Sequence, residues 1–586
     1  MDSVRKINQL FEQAQKKKLL AVFLLMVFAA LFETMSVGLI VPFVQIISDP
    51  QVVQDSAIFF RIYEFFNFSS HSAFVIGASL VFLSFFIFKN LFLTFFYYVQ
   101  FRVLFNEQVR LSERLFRTYL MKPYVFHLEK NSSELVRNTN TEVQSLFKYH
   151  IIPIFTLLTE LLITAFIFAL LLIISPVATL MIVVILGTSV GLFLRGFNQK
   201  ITQAGKNQQM ALGGMIKWVN QGLGAGKEIK VSGKEEYFVK AYHDESKKYA
   251  TALRFHELVQ QVPRMFIETV MILTVLAVIV VVLFLTNNMT DLFSISALFG
   301  MAAFRLMPSI NRSMSAVSII RHSKPALDVI YRDLVEEQEE VITPEEADQE
   351  LFAGQAMKIE VKDLFFHYPG SLVNVINGVN VSIPAGKATA FIGETGSGKT
   401  TLIDLLIGVL EPTEGTIEVN GLSIQKDLTS WHQKIGYIPQ SIFLTDESIR
   451  SNVAFGIADD EIKDEAVWAA LEKAALKKFV MNLPDQLDTI VGERGVKISG
   501  GQKQRIGIAR ALYHDPEILV MDEATSALDN ETEQEIIRAV DRLKGHKTLL
   551  IIAHRLTTIQ NCDLVVEMKD GKAFTNQVAK EVARTS

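Results

Sequence analysis

At 586 residues the chain is too long for one hydrophobic core, and half of its residues are hydrophobic. A net charge of −5 offers no basic surface for nucleic acid, so no nucleic-acid partner is expected, and a single cysteine, Cys562, excludes an internal disulfide. The apolar residues crowd into long runs before Lys358, whereas the remainder alternates apolar and charged residues as a globular domain does. A membrane half followed by a soluble half is therefore expected.

Six stretches are long enough for a hydrocarbon layer that needs about 20 apolar residues: residues 19–47, 73–98, 151–174, 177–194, 266–285 and 293–308. The last contains Arg305. Lys and Arg gather before the first span, between the second and third, and between the fourth and fifth, while the short connections have none. By the positive-inside bias the N-terminus, both long connections and the C-terminal half face the cytoplasm. No small-residue cleavage site follows the first apolar run, which should remain as a span.

Between the first two spans, residues 52–68 carry Ile58, Phe59, Ile62, Tyr63, Phe65 and Phe66 at helical spacing, with Asp55, Arg61, Glu64 and Asn67 between them. An amphipathic helix follows, either lying at the outer surface or packed on neighbouring spans. The two long connections read as helical extensions of the spans, turning near Lys122-Pro123 and near Gly222-Leu223-Gly224. These turns are the segments expected to carry motion between the halves. An acidic stretch then reads as a solvated linker. The expected division is a transmembrane domain over 1–335, a linker over 336–356 and a nucleotide-binding domain over 357–586.

In that last part the run Gly393-Glu394-Thr395-Gly396-Ser397-Gly398-Lys399-Thr400 is a complete phosphate loop between an apolar strand and a helix that includes Thr401. Its glycines let successive backbone N–H groups turn inward on an anion, at the positive end of the helix dipole. Lys399 would reach the β- and γ-phosphates, and the Thr400 hydroxyl would join a Mg²⁺ shell. A second apolar strand, Ile518-Leu519-Val520-Met521-Asp522, ends in a carboxylate suited to the same metal. Glu523, one residue further on, is placed to polarise the water that attacks the γ-phosphate and is the candidate general base.

Ile498-Ser499-Gly500-Gly501-Gln502 falls between these two motifs, and there the chain resembles the ATP-binding cassette family, with Ile498 in place of the usual Leu. The resemblance implies that Ser499, Gly500, Gly501 and Gln502 close over ATP bound to an opposite subunit. It further implies that Tyr368 stacks on adenine and that Gln440 senses Mg²⁺ and the membrane part. Ser526-Ala527-Leu528-Asp529 would form the D-loop, His554 would contact the γ-phosphate, and residues 491–495 would meet the coupling helices. A single copy of loop and signature cannot close a site alone, so a dimer is expected, a homodimer in the simplest case and a heterodimer otherwise. The implied fold is a six-span exporter domain, all α, fused to an α/β P-loop domain, acting as an ATPase coupled to transport by alternating access.

Charges at membrane depth bear on the cargo: Glu33, Lys89, Glu160, Glu268 and Arg305, with Arg264 and Arg312 near the ends of spans. They would pair between spans, or Lys89, Arg264, Arg305 and Arg312 would form a cationic patch for a pyrophosphate. The stretches around Glu33–Phe43, Val262-Pro263-Arg264 and Phe304–Arg312 resemble the lipid-linked oligosaccharide flippases of bacterial protein N-glycosylation, although Lys89 stands where Arg is expected. That resemblance implies a polyisoprenyl-pyrophosphate glycan as cargo, moved to the outer leaflet of a bacterial inner membrane. A multidrug, lipid A or peptide exporter is the competing transport reading, and an ATP-gated channel or membrane sensor the non-transport one.

Overall fold

The computed structural model describes residues 2–48, 50–174, 176–285, 289–336, 352, 357–492, 495–522, 538, 542–553 and 559–576. It divides into two compact units, Met1–Lys122 with Lys130–Val341, and Pro123–Glu129 with Ile342–Ser586.

Among the described residues the first unit's regular structure is all helical. Its long helices are α1 (Gln13–Gly38), α2 (His71–Leu120), α3 (Ile152–Ile174), α4 (Pro176–Gly224), α5 (Glu235–Leu285) and α6 (Met289–His322). In hydrocarbon each backbone N–H must find its acceptor within the segment, and long apolar runs satisfy this only as helices. Among the described residues five helical segments are long and apolar enough to cross a membrane. The sixth expected span lies in α6; the side chains of residues 281–298 are outside the described set. Where the helices meet, Ala30, Ile163, Ile167, Ile182, Ile267 and Leu306 are buried, while Leu80, Val81 and Leu91 face outward.

Helix ends follow local chemistry. Glu12 and Gln15 form a capping box at the start of α1, and the Ser70 hydroxyl accepts from Ala73 N at the start of α2. At 50 residues, α2 is about 75 Å long and far exceeds a membrane, as expected of a span with an extension. Two π-turns, Asn138–Glu142 and Phe147–Ile151, precede α3 and widen the helix where it joins its extension.

The connection between the first two spans is two short helices, Gln51–Asp55 and Ala57–Phe65, broken at Ser56, whose hydroxyl caps the second. The expected single amphipathic helix is thus divided by a local cap. Its two faces part company: Val53, Phe59 and Tyr63 pack on Ile46 and Phe74, whereas Ile58, Ile62, Phe65 and Phe66 are exposed.

Among the described residues the second unit has two sheets. An antiparallel one is ordered β2-β1-β4-β5, with β1 Ile359–Phe366, β2 Ile376–Ile383, β4 Glu414–Val419 and β5 Leu422–Ser423. The other is ordered β10-β9-β3-β8-β7-β6 and comprises β3 Ala388–Ile392, β6 Ile435–Ile438, β7 Ile518–Asp522, β8 Thr548–Ile552, β9 Leu564–Lys569 and β10 Lys572–Asn576. Within it β3, β6, β7, β8 and β9 run parallel, and β10 closes the edge as a hairpin with β9. Every residue of β7 and β8 is buried, which is why both read as unbroken apolar runs. Two outlying segments join this unit's core: Phe352 packs on Trp431 with ring centroids 5.8 Å apart, and Val125 packs against the same cluster.

Candidate nucleotide site and membrane ion pairs

Parallel strands bring their C-terminal ends to one edge, and ligands of open α/β sheets bind there. The phosphate loop leaves the end of β3, Asp522 ends β7 and Gln440 follows β6 by two residues. The candidate residues are therefore gathered by topology although up to 129 positions separate Gly393 from Asp522 in the chain.

The loop's geometry demands its glycines. Gly393, Gly396 and Gly398 have φ of 141°, 85° and 98°, and a Cβ on Gly393 would overlap the Met568 carbonyl oxygen. Gly398 caps the helix α7, Lys399–Leu406. Lys399 is buried, and its ammonium donates to the carbonyls of Gly393 and Glu394, each at 2.8 Å. Glu394, Thr395 and Gly396 form the exposed tip, Thr400 is exposed and Thr401 buried. Ser397 Oγ is buried and meets no hydrogen-bond partner among the described residues, as befits a group whose acceptor is a ligand oxygen. The Tyr368 and Thr401 hydroxyls are 3.1 Å apart, which ties the aromatic to α7, and Phe366 meets the Tyr368 ring edge-on.

Asp522 is buried. Burial and the Asp522 charge push Asp404, on α7, up to about 6. Asp404 belongs to no motif, and its only signal in the sequence is a lone carboxylate in an apolar stretch of helix. Thr400 and Asp522 offer the hard oxygen donors that suit Mg²⁺.

Ser499 caps a helix α8, Gly500–Leu512. Its hydroxyl accepts from Gln502 N at 3.3 Å, and Gln502 Oε1 accepts from Ser499 N at 2.9 Å, so both signature residues belong to a capping box. Ser499 and Gly500 are exposed, while Gly501 and Gln502 are half-buried. Glu523, His554, the D-loop residues 526–529, and Glu493 and Arg494 lie outside the described residues.

In the first unit the four cations separate into pairs. Lys89 Nζ and Arg305 Nε lie 3.3 and 3.2 Å from the same Glu33 oxygen, and Arg312 Nε donates to Glu160 at 2.5 Å. Tyr97 is within electrostatic reach of both clusters. Arg264 lines a cavity of about 370 Å³ together with Arg312, Gln260, Gln261 and Asn311. Ion pairing thus accounts for Lys89, Arg305 and Arg312, and Arg312 also borders the open space that Arg264 lines.

A bundle of membrane helices joined to a sheet with a phosphate loop at its edge defines an ATP-driven translocase. The model of the ABC transporter transmembrane region matches residues 43–306, and that of the ABC transporter matches residues 376–526. An ATP-dependent lipid A-core flippase of Saccharophagus degradans is 30% identical over 477 residues, covering 80% of this chain and 78% of that one. An uncharacterized ABC transporter ATP-binding protein, YwjA, of Bacillus subtilis is 43% identical over 238 residues, 40% of each chain. A bacterial Atm1-family ABC exporter with ATP bound shares the fold, with a TM-score of 0.80 at 22% identity over 98% of this chain and 97% of that one. The chain belongs to the ABC transporter family and is an exporter half-transporter, with one membrane domain and one ATP-binding domain.

Proposed function

We propose that this exporter moves a phosphorylated glycolipid, specifically a polyisoprenyl-pyrophosphate-linked oligosaccharide, from the cytoplasmic to the outer leaflet of a bacterial inner membrane. The observation that carries this reading is the cavity shared by Arg264 and Arg312 on α5 and α6. Beside the amide side chains, the Arg264 guanidinium and the Arg312 N–H groups other than the Nε that Glu160 takes suit a pyrophosphate, because a guanidinium presents several donors to phosphate oxygens. The same chemistry suits a phosphorylated lipid A, a second reading favoured by the name given to the Saccharophagus relative.

Two copies of the chain would sandwich ATP between the phosphate loop of one and Ser499, Gly500, Gly501 and Gln502 of the other. Lys399 and the loop N–H groups hold the phosphates, Tyr368 packs on the base, and Thr400, Asp522 and Gln440 would hold Mg²⁺. That metal would neutralise charge on the transferred phosphoryl group. Glu523 takes a proton from the attacking water, and His554 holds the γ-phosphate. The segment Pro123–Glu129, which packs with the second unit, is suited to transmit the resulting closure.

The test is ATP-dependent transfer in proteoliposomes of a polyisoprenyl-pyrophosphate glycan and, separately, of lipid A, comparing the intact chain with Glu523→Gln. Transfer of the first lipid by the intact chain alone supports the proposal; transfer of lipid A alone selects the second reading. ATP hydrolysis with neither lipid moved sends the cargo to drugs or peptides. Near-normal hydrolysis by Glu523→Gln would remove that residue as the base.

A further inference from the structure

A second polar cavity, of about 460 Å³, lies among α4, α5, α6 and the turns before α3, and Gln144, Gln208, Tyr249, His256, Gln260 and His322 line it. Gln260 and Ile319 also border the cavity of Arg264 and Arg312, so the two spaces adjoin. The rings of His256 and His322 stack with centroids 3.8 Å apart at 26°, and Gln260 Nε2 lies 2.6 Å from His256 Nε2. Gln208 Oε1 and His322 Nε2 are buried without a hydrogen-bond partner among the described residues. Buried polar atoms are rarely left in that condition, and their cost is removed when a ligand or water supplies the missing bond.

We propose that this cavity is a subsite for the uncharged sugar adjoining the phosphate of the cargo headgroup. Carboxamides and a phenol both donate and accept, which matches hydroxyl and acetamido groups, and the flat imidazole pair offers a face for a sugar ring. Glu142, the buried carboxylate among the lining residues, lies 3.3 Å from Arg137 Nε, so its charge is compensated. The phosphate then occupies the arginine cavity and the sugar the glutamine and histidine cavity, with Gln260 between them. This rests on the phosphorylated-glycolipid reading and adds a site of selection within it.

The experiment uses the full chain in detergent with two probes, polyisoprenyl pyrophosphate and the same lipid bearing one N-acetylhexosamine. Two or so added hydrogen bonds should make the sugar-bearing lipid bind about tenfold more tightly. Gln208→Leu and His322→Phe, the latter keeping a ring to stack on His256, should each cut that ratio to about threefold, and the double variant should bring it close to one, while the sugar-free lipid binds as before. A ratio near one in the parent chain, or an undiminished ratio in both variants, overturns the subsite. Because a folding defect lowers both affinities together, the ratio is read on whichever variant still binds the sugar-free lipid. If the parent binds neither lipid while hydrolysing ATP, the cargo reading itself fails and the subsite falls with it.

Discussion

The backbone of Gly205 on α4 rests directly against the His322 carbonyl on α6, so closely that a Cβ on Gly205 would overlap the oxygen. The obstacle is backbone, which cannot rotate away as a flexible side chain would. Gly205→Ala must therefore separate the two helices, and overpacking of this kind costs about 1–3 kcal/mol. The expected outcome is a lower thermal midpoint in detergent. An unchanged midpoint would show that the helices part without resistance.

Glu33 holds two cations, with Lys89 and Arg305 on the same oxygen and all three side chains largely buried. Glu33→Gln leaves both charges uncompensated, and removing one partner of a buried pair costs about 3–5 kcal/mol. Lys89→Met should cost less, since Arg305 still faces the carboxylate. Thermal unfolding of the two variants checks the order, and a larger loss in Lys89→Met would show that Arg305 contributes little to holding Glu33.

These relationships explain what could be read from the chain and what could not. The phosphate loop was legible because its glycines, Lys399 and Thr400 are consecutive, and the spans because hydrocarbon imposes length and composition on a single segment. The partners of Lys89 and Arg312 were not, since Glu33 lies 56 residues and Glu160 152 residues away, where no local spacing marks the contact. The stacked His256 and His322 likewise come from different helices. The outer helix was half legible: spacing marked its apolar residues, but neither the break at the Ser56 cap nor the packing of Val53, Phe59 and Tyr63 on Ile46 and Phe74 has a local signal.

Within the phosphate loop, Ser397 provides a test that separates ligand binding from folding. Its buried hydroxyl has no partner among the described residues, so Ser397→Ala should leave the nucleotide-free thermal midpoint unchanged or slightly raised. Nucleotide affinity should fall about tenfold or more, the worth of one hydrogen bond to a charged group. Equal affinity in parent and variant would place the hydroxyl outside the phosphate contacts.

The last expectation concerns pH. Burial, and then the neighbouring Asp522, raise Asp404 to about 6 in the folded protein from an ordinary value of 3.8. A carboxyl raised on folding binds its proton more tightly in the native state, so its contribution is fully present below about 4 and is lost as pH rises through about 6. At neutral pH the charged Asp404 is therefore a burden, by about 1–2 kcal/mol once partial solvation is allowed for. Asp404→Asn, neutral at every pH, should match the parent near pH 4 and exceed it in thermal midpoint at pH 7, in buffer free of Mg²⁺ and nucleotide. A gap that stays constant between pH 4 and pH 7 would mean that Asp404 titrates as an ordinary surface carboxylate, uncoupled from Asp522.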